Sequence, residues 1–186
     1  MALQAVDEGR WINFEKVALL ALDQSDHGCK ILSQIVRGFG LRDVRAFTHA
    51  AEARQALCAA TFDLIIADPA VEGEEGILLV RWLRRQERNP NRFAPIILIS
   101  GHSTPTLVRR ARDCGANFLV AKPLTPEALL ERILWIARDR RPFVEVGEYL
   151  GPDRRFKSQG PPCGGNERRA SDVTVSEAKP EDPVAR

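Results

Sequence analysis

The chain has 186 residues, of which 44% are hydrophobic and 28% charged, a normal composition for one soluble domain of ordinary size plus a tail. Its 27 Lys and Arg against 25 Asp and Glu leave a formal net charge of +2, so no global field steers it to nucleic acid. No apolar run reaches the length of a membrane helix, and the segment 1–8 lacks the basic and apolar regions of a signal peptide. The scattered Cys29, Cys58, Cys114 and Cys163 fit reduced cytoplasmic thiols better than a disulfide framework or a zinc site.

Residues 1–14 read as a polar N-terminal arm that Trp11 and Phe14 can anchor. From 15 to 141, short apolar runs alternate with helical periodicities, which predicts a parallel sheet covered on both faces. The first strand, Val17 to Leu22, closes on Asp23. The helix after it carries Ile31, Leu32, Ile35, Val36 and Phe39 at 3-4 spacing and ends near Gly38 and Gly40. Val44 to Phe47 is a short strand, and Thr48 is a candidate cap for a helix holding Ala51, Ala53, Leu57 and Cys58. The third strand, Asp63 to Ala67, closes on Asp68. A helix with Ile77, Leu78, Val80, Trp82 and Leu83 follows, then a polar loop marked by Asn89-Pro90-Asn91. Strand four, Pro95 to Ile99, closes on Ser100, and the helix after Pro105 stops at Gly115. Strand five, Asn117 to Ala121, closes on Lys122. Thr125 and Pro126 open a last helix with Leu129, Leu130, Ile133, Leu134 and Ile136 on its apolar face. The predicted fold class is therefore α/β: a flavodoxin-like doubly wound five-stranded parallel sheet, (βα)5. Residues 142–186, rich in Arg, Pro and Gly, read as a disordered C-terminal tail.

Open α/β sheets gather their ligands at the carboxyl ends of their strands. Asp23, Asp68, Ser100 and Lys122 each close a strand, so the topology brings them to one sheet edge. Singly, Asp68 would be a turn former, Ser100 a cap and Lys122 a solvated charge; together they suit phosphoryl transfer to a carboxylate. Such a transfer needs an ionised nucleophile (Asp68), oxygen ligands for a hard cation, a lysine to offset growing charge (Lys122) and a hydroxyl to bond the product (Ser100). His27, His49 and His102 share no metal-ligand spacing.

These segments, together with Ile96-Ile97-Leu98-Ile99-Ser100-Gly101 and Gly115-Ala116-Asn117-Phe118-Leu119-Val120-Ala121-Lys122-Pro123, resemble the receiver domain of two-component response regulators, the CheY-like family, over residues 15 to about 138. The resemblance implies a signalling switch in the cytoplasm, not an enzyme. It implies phosphorylation of Asp68 by a sensor histidine kinase or phosphotransfer protein, and signalling through a downstream protein target. It also implies Mg²⁺ held by Asp23, Gln24, Asp68 and the backbone carbonyl of Ala70. The chain departs from the family pattern at four places. Gln24 replaces a second acid, Pro69 follows Asp68 directly, Glu72 stands where a proline is common, and Leu119 replaces an aromatic residue, with Phe118 beside it.

No second run of helices follows residue 140, so no DNA-binding output is expected. The tail repeats a glycine, a spacer, an acid and an arginine pair: Gly151-Pro152-Asp153-Arg154-Arg155, then Gly165-Asn166-Glu167-Arg168-Arg169. Arginine forks bind phosphates and the O6/N7 edge of guanine. The tail resembles the arginine-rich extensions of CheY-like proteins that bind cyclic di-GMP and act at the flagellar motor. That alternative assigns ligand contacts to Arg154, Arg155, Arg168, Arg169, Ser171 and Asp172. The other reading of the same stretch is a solvated linker.

Overall fold

A short antiparallel pair, β1 (Val6–Asp7) and β2 (Arg10–Trp11), precedes the body. It lies within what the sequence presents as a plain arm. The architecture is that of a computed structural model, which describes residues 6–7, 10–11 and 13–153 apart from positions 74, 103, 140 and 148. Phe14, 5% exposed, packs into the core and is the anchor expected of it; the Trp11 side chain lies outside the described residues.

The body alternates β3 (Ala18–Leu22), α1 (Asp26–Gly38), β4 (Asp43–Phe47), α2 (Ala50–Ala59), β5 (Leu64–Ala67), α3 (Glu75–Arg84), a 3-10 turn (Pro90–Phe93), β6 (Ile96–Ser100), α4 (Pro105–Asp113), β7 (Phe118–Ala121) and α5 (Pro126–Arg138). The five strands β3 to β7 form one parallel sheet in the order β4-β3-β5-β6-β7. Apart from Ser100 at the end of β6, the three central strands are apolar because helices cover both faces. Their two-residue period sends Leu20, Leu22, Ile65, Ala67, Ile96 and Leu98 into the core under α2, α3 and α4. It sends Leu19, Ala21, Leu64, Ile66, Ile97 and Ile99 into the core under α1 and α5. The expected doubly wound sheet is therefore present, strand for strand.

Local signals act at the helix ends. Ser25 caps α1 by accepting from Gly28 N at 3.0 Å, and Thr104 and Thr125 cap α4 and α5, each followed by Pro at the first helical position. Thr48 does not cap α2. The N-cap there is His49, whose own side chain makes no capping bond.

The largest departure from expectation is at the C-terminal end. The tail was expected from residue 142, yet β8 (Phe143–Val146) and β9 (Tyr149–Pro152) form an antiparallel hairpin on the body. Leu150 is 6% exposed. Gly115, at φ +93°, lies so close to the Leu150 carbonyl that a Cβ there would stand 2.2 Å from it, so only glycine serves both the helix end and the hairpin seat. The hairpin's second anchor is Arg84. Its guanidinium, 2% exposed, donates to the Gly115 carbonyl from Nε (3.1 Å) and a terminal nitrogen (3.0 Å), to the Ala94 carbonyl (2.9 Å) and to the Arg92 carbonyl. It also stacks 5.0 Å from the Phe143 ring centre. Burial pulls its pKa down to about 10. No helix among the described residues is long and apolar enough to cross a membrane.

Candidate functional site

Three of the predicted strand-end groups meet. Lys122, just past β7, donates from Nζ to Asp23 Oδ2 at 2.7 Å and to Asp68 Oδ2 at 2.9 Å. Asp23 is 6% and Asp68 3% exposed. Parallel pairing accounts for the convergence. Asp68 N donates to Leu22 O and Lys122 N donates to Ser100 O, so successive strands end level with one another. Partial burial opposes the ammonium, but the bonds to Asp23 and Asp68 outweigh it and hold the Lys122 pKa above the ordinary lysine value.

The carboxylates are fixed from their other sides. Asp68 Oδ1 accepts from Ala70 N at 2.9 Å. Asp23 Oδ1 accepts from Ser25 N at 3.1 Å and from its hydroxyl at 3.3 Å. Two buried carboxylates share one ammonium, which leaves an excess of negative charge presented by hard oxygen atoms. That donor set fits Mg²⁺. Gln24 follows Asp23 directly and is exposed, and its amide offers a neutral oxygen, not a charged one, at the position next to that carboxylate. The Ala70 carbonyl accepts from Gly73 N at 3.2 Å and keeps a second lone pair. Among the described residues no group of three His, Cys, Asp or Glu side chains is placed to hold a metal ion, so a cation here would rely on the two carboxylates with amide, carbonyl and water oxygens. A cavity of about 300 Å³ opens beside the carboxylates, walled by Ile31, Leu32, Ile35 and Leu124.

Ser100 is buried at the neighbouring strand end, but its hydroxyl is engaged in its own loop. It donates to His102 O at 2.9 Å and accepts from His102 N at 3.2 Å. Leu119 packs toward α4 and its neighbours, whereas Phe118 lies on the opposite face, edge-on to Trp135 at 4.6 Å. The two-residue period of a strand therefore prevents Phe118 from replacing an aromatic at 119. Arg154, Arg155, Arg168, Arg169, Ser171 and Asp172 lie outside the described residues.

Two contributors escaped the sequence reading. A Cβ on Gly28 would stand 2.2 Å from Asp23 Oδ1, so the first turn of α1 comes this close to the carboxylate only with glycine. Ser25, three residues earlier, carried a capping signal; Gly28 carried none. The second is an exposed bridge between loops. Glu72 Oε1 bonds His49 Nδ1 at 3.0 Å, and Oε2 accepts from Ala50 N at 3.3 Å. These bonds hold the His49 pKa above, and the Glu72 pKa below, their ordinary values.

Comparison with known proteins agrees with this geometry. The response regulator receiver domain family matches residues 19–134. The transcriptional regulatory protein GltR of Pseudomonas aeruginosa is 30% identical over 129 residues, covering 69% of this chain and 52% of that protein. The chain thus spans about half the length of GltR. The chemotaxis protein CheY of the same organism is 25% identical over 115 residues, covering 62% of this chain and 91% of that one. Among solved structures, the chemotaxis protein CheY4 of Vibrio cholerae superposes with a TM-score of 0.59 at 26% identity, over 64% of this chain and 98% of that one. A match running from β3 into α5 embraces the whole sheet and both carboxylates, not one motif, and on that basis the chain belongs to the response regulator receiver domain family.

Proposed function

We propose that this receiver domain is switched by transfer of a phosphoryl group to Asp68 from a sensor histidine kinase or phosphotransfer protein. Mg²⁺ serves as cofactor, and the modified domain signals by protein–protein contact. One observation carries the reading: a single lysine, Lys122, is bonded to both buried carboxylates at the carboxyl edge of the sheet. An Asp68 oxygen forms the new P–O bond as the donor's bond to phosphorus breaks, the donor keeping that electron pair. Lys122 gives up its bond to Asp68 Oδ2 for a phosphoryl oxygen and stays paired with Asp23. Bound Mg²⁺ would supply the remaining neutralisation of the phosphoryl oxygens. The Ser100 hydroxyl reaches the product only by leaving His102, which couples modification to the β6–α4 loop. The signalling surface is then the β7 edge with α4 and α5. Uptake of one phosphoryl group from a small phosphodonor, read by intact mass, tests the assignment.

Gln24 makes the metal arm separately testable. A carboxylate at 24 adds a charge near a divalent ion in a solvated cleft, on the order of 1 kcal/mol. Gln24→Asp is expected to tighten Mg²⁺ binding by about fivefold to tenfold in calorimetric titration. Equal affinity in the two proteins would remove Gln24 from the ligand set.

The paired acid-arginine-arginine units favour a second reading, a cyclic di-GMP-responsive adaptor that uses its tail, with the flagellar motor as a candidate target. Affinity then comes from several charge-assisted bonds that together offset the ordering of the segment. Losing one arginine contact costs about 1.5–3 kcal/mol, at least tenfold in affinity. Arg154→Ala and Arg168→Ala are expected to weaken titration with cyclic di-GMP, and Lys179→Ala to leave it unchanged. No heat and no shift of any tail resonance on adding the dinucleotide would reject this reading.

A further inference from the structure

Glu72 stands out because its backbone and its side chain are both unusual. It has φ +47°, the one non-glycine residue in the left-handed region among the described residues. A glutamate there costs about 1 kcal/mol or more, and such a conformation persists only where its surroundings over-determine it. Its surroundings do so. One carboxylate oxygen bonds His49 Nδ1 at 3.0 Å and the other accepts from Ala50 N at 3.3 Å. Ala50 N belongs to the first turn of α2 and has no acceptor within the helix, and the N-cap His49 supplies no side-chain bond of its own. Glu72 therefore caps α2 from a different loop.

That loop is the one that begins at Asp68. Asp68 Oδ1 accepts from Ala70 N at 2.9 Å, and Ala70 O accepts from Gly73 N at 3.2 Å. Glu72 is thus the third residue of the turn Ala70-Val71-Glu72-Gly73, whose first carbonyl is the expected backbone ligand of the metal. Val71, within the turn, is fully buried, and Gly73 follows at φ +92°. The turn is pinned at one end by Asp68 and Val71, and at the other by the Glu72 carboxylate on α2.

We propose that Glu72 is a positioning residue for the phosphoryl and metal site: anchored on His49 and on the N-terminus of α2, it holds the turn that carries the Ala70 carbonyl. This rests on the Asp68 and Mg²⁺ reading above and deepens it. The β4–α2 junction becomes a fixed point for the phosphoacceptor loop. Displacing His49 and Ala50 from Glu72 frees the turn without touching Asp23, Asp68 or Lys122.

The test compares Mg²⁺ titration, acyl-phosphate formation and the urea unfolding midpoint in wild type, Glu72→Gly and Glu72→Gln. Glycine adopts the left-handed backbone without strain and removes only the anchor. Glutamine keeps an oxygen that can accept from Ala50 N. If the competent turn falls to about a third of the population in Glu72→Gly, the Mg²⁺ dissociation constant rises about threefold, and initial phosphorylation at limiting Mg²⁺ slows in step. Glu72→Gln is expected to stay within about twofold of wild type, on the same population argument. Wild-type Mg²⁺ affinity in a folded Glu72→Gly protein would overturn the positioning role while leaving the Asp68 reading intact. Absence of any Mg²⁺ binding by wild type would instead remove the metal reading itself, and the positioning role with it.

Discussion

Asp68→Asn is expected to take up no phosphoryl group from a small phosphodonor and Mg²⁺, where the wild-type chain takes up one. The amide is nearly isosteric with the carboxylate, so its oxygen can still accept from Ala70 N and the turn 68–73 is retained. It lacks the anionic oxygen that attacks phosphorus. Lys122 keeps its 2.7 Å bond to Asp23, so the variant leaves no buried ammonium without a partner and is expected to unfold close to the wild-type midpoint. Intact mass with and without donor reads the result. An unmodified wild type at saturating donor would reject Asp68 as acceptor, and an equally modified Asn variant would move the acceptor elsewhere. Asp23 is the informative second site. It shares Lys122, and a Cβ on Gly28 would stand 2.2 Å from its Oδ1, so the first turn of α1 closes over its carboxylate on that side.

Arg84→Ala is expected to cost about 3–5 kcal/mol of stability, the range for breaking a buried charged network, read as a lower urea midpoint. Three backbone carbonyls, at Arg92, Ala94 and Gly115, lose their donor inside the protein, and a buried acceptor without a donor costs about 1–3 kcal/mol. The Phe143 ring also loses the cation stacked on it. Arg84→Lys is not expected to restore stability, because one ammonium cannot span three carbonyls as a planar fork does. Ending the chain at Arg141 is expected to destabilise the domain in the same direction, since it removes Phe143 and Leu150 and uncovers Gly115. A chain ending at Asp153 keeps the hairpin. A midpoint for Arg84→Ala within about 0.5 kcal/mol of wild type, the scale of an ordinary surface change, would show that the hairpin seat does not depend on the guanidinium.

The family, the fold and most of the site were legible in the chain itself. Apolar strands repeat between amphipathic helices, and a charged or hydroxyl residue closes each of four strands. A parallel sheet covered on both faces follows from those patterns, whereas the strand order β4-β3-β5-β6-β7 is read from the pairing of the strands. That placed Asp23, Asp68 and Lys122 at one edge, and their distances agree. Ser100 was placed at the right strand end, yet its bonding to His102 was not legible. Hydroxyl orientation depends on loop backbone groups two residues away, which no periodicity reports.

Tertiary structure alone decided the rest. Gly28 matters because a helix turn approaches a carboxylate five residues earlier in the chain, and a missing side chain leaves no pattern to read. Glu72 reads as an ordinary loop acid until its carboxylate is found on a helix start 22 residues away. The segment 142–153 has the glycine and proline content of a tail, and its burial is conferred by Arg84 and Gly115, distant in sequence. Local composition determines what a segment can do when alone. Whether it is held in place depends on partners brought near only by the fold, and at Arg84 that partner is a buried cation whose bonds all run to the backbone.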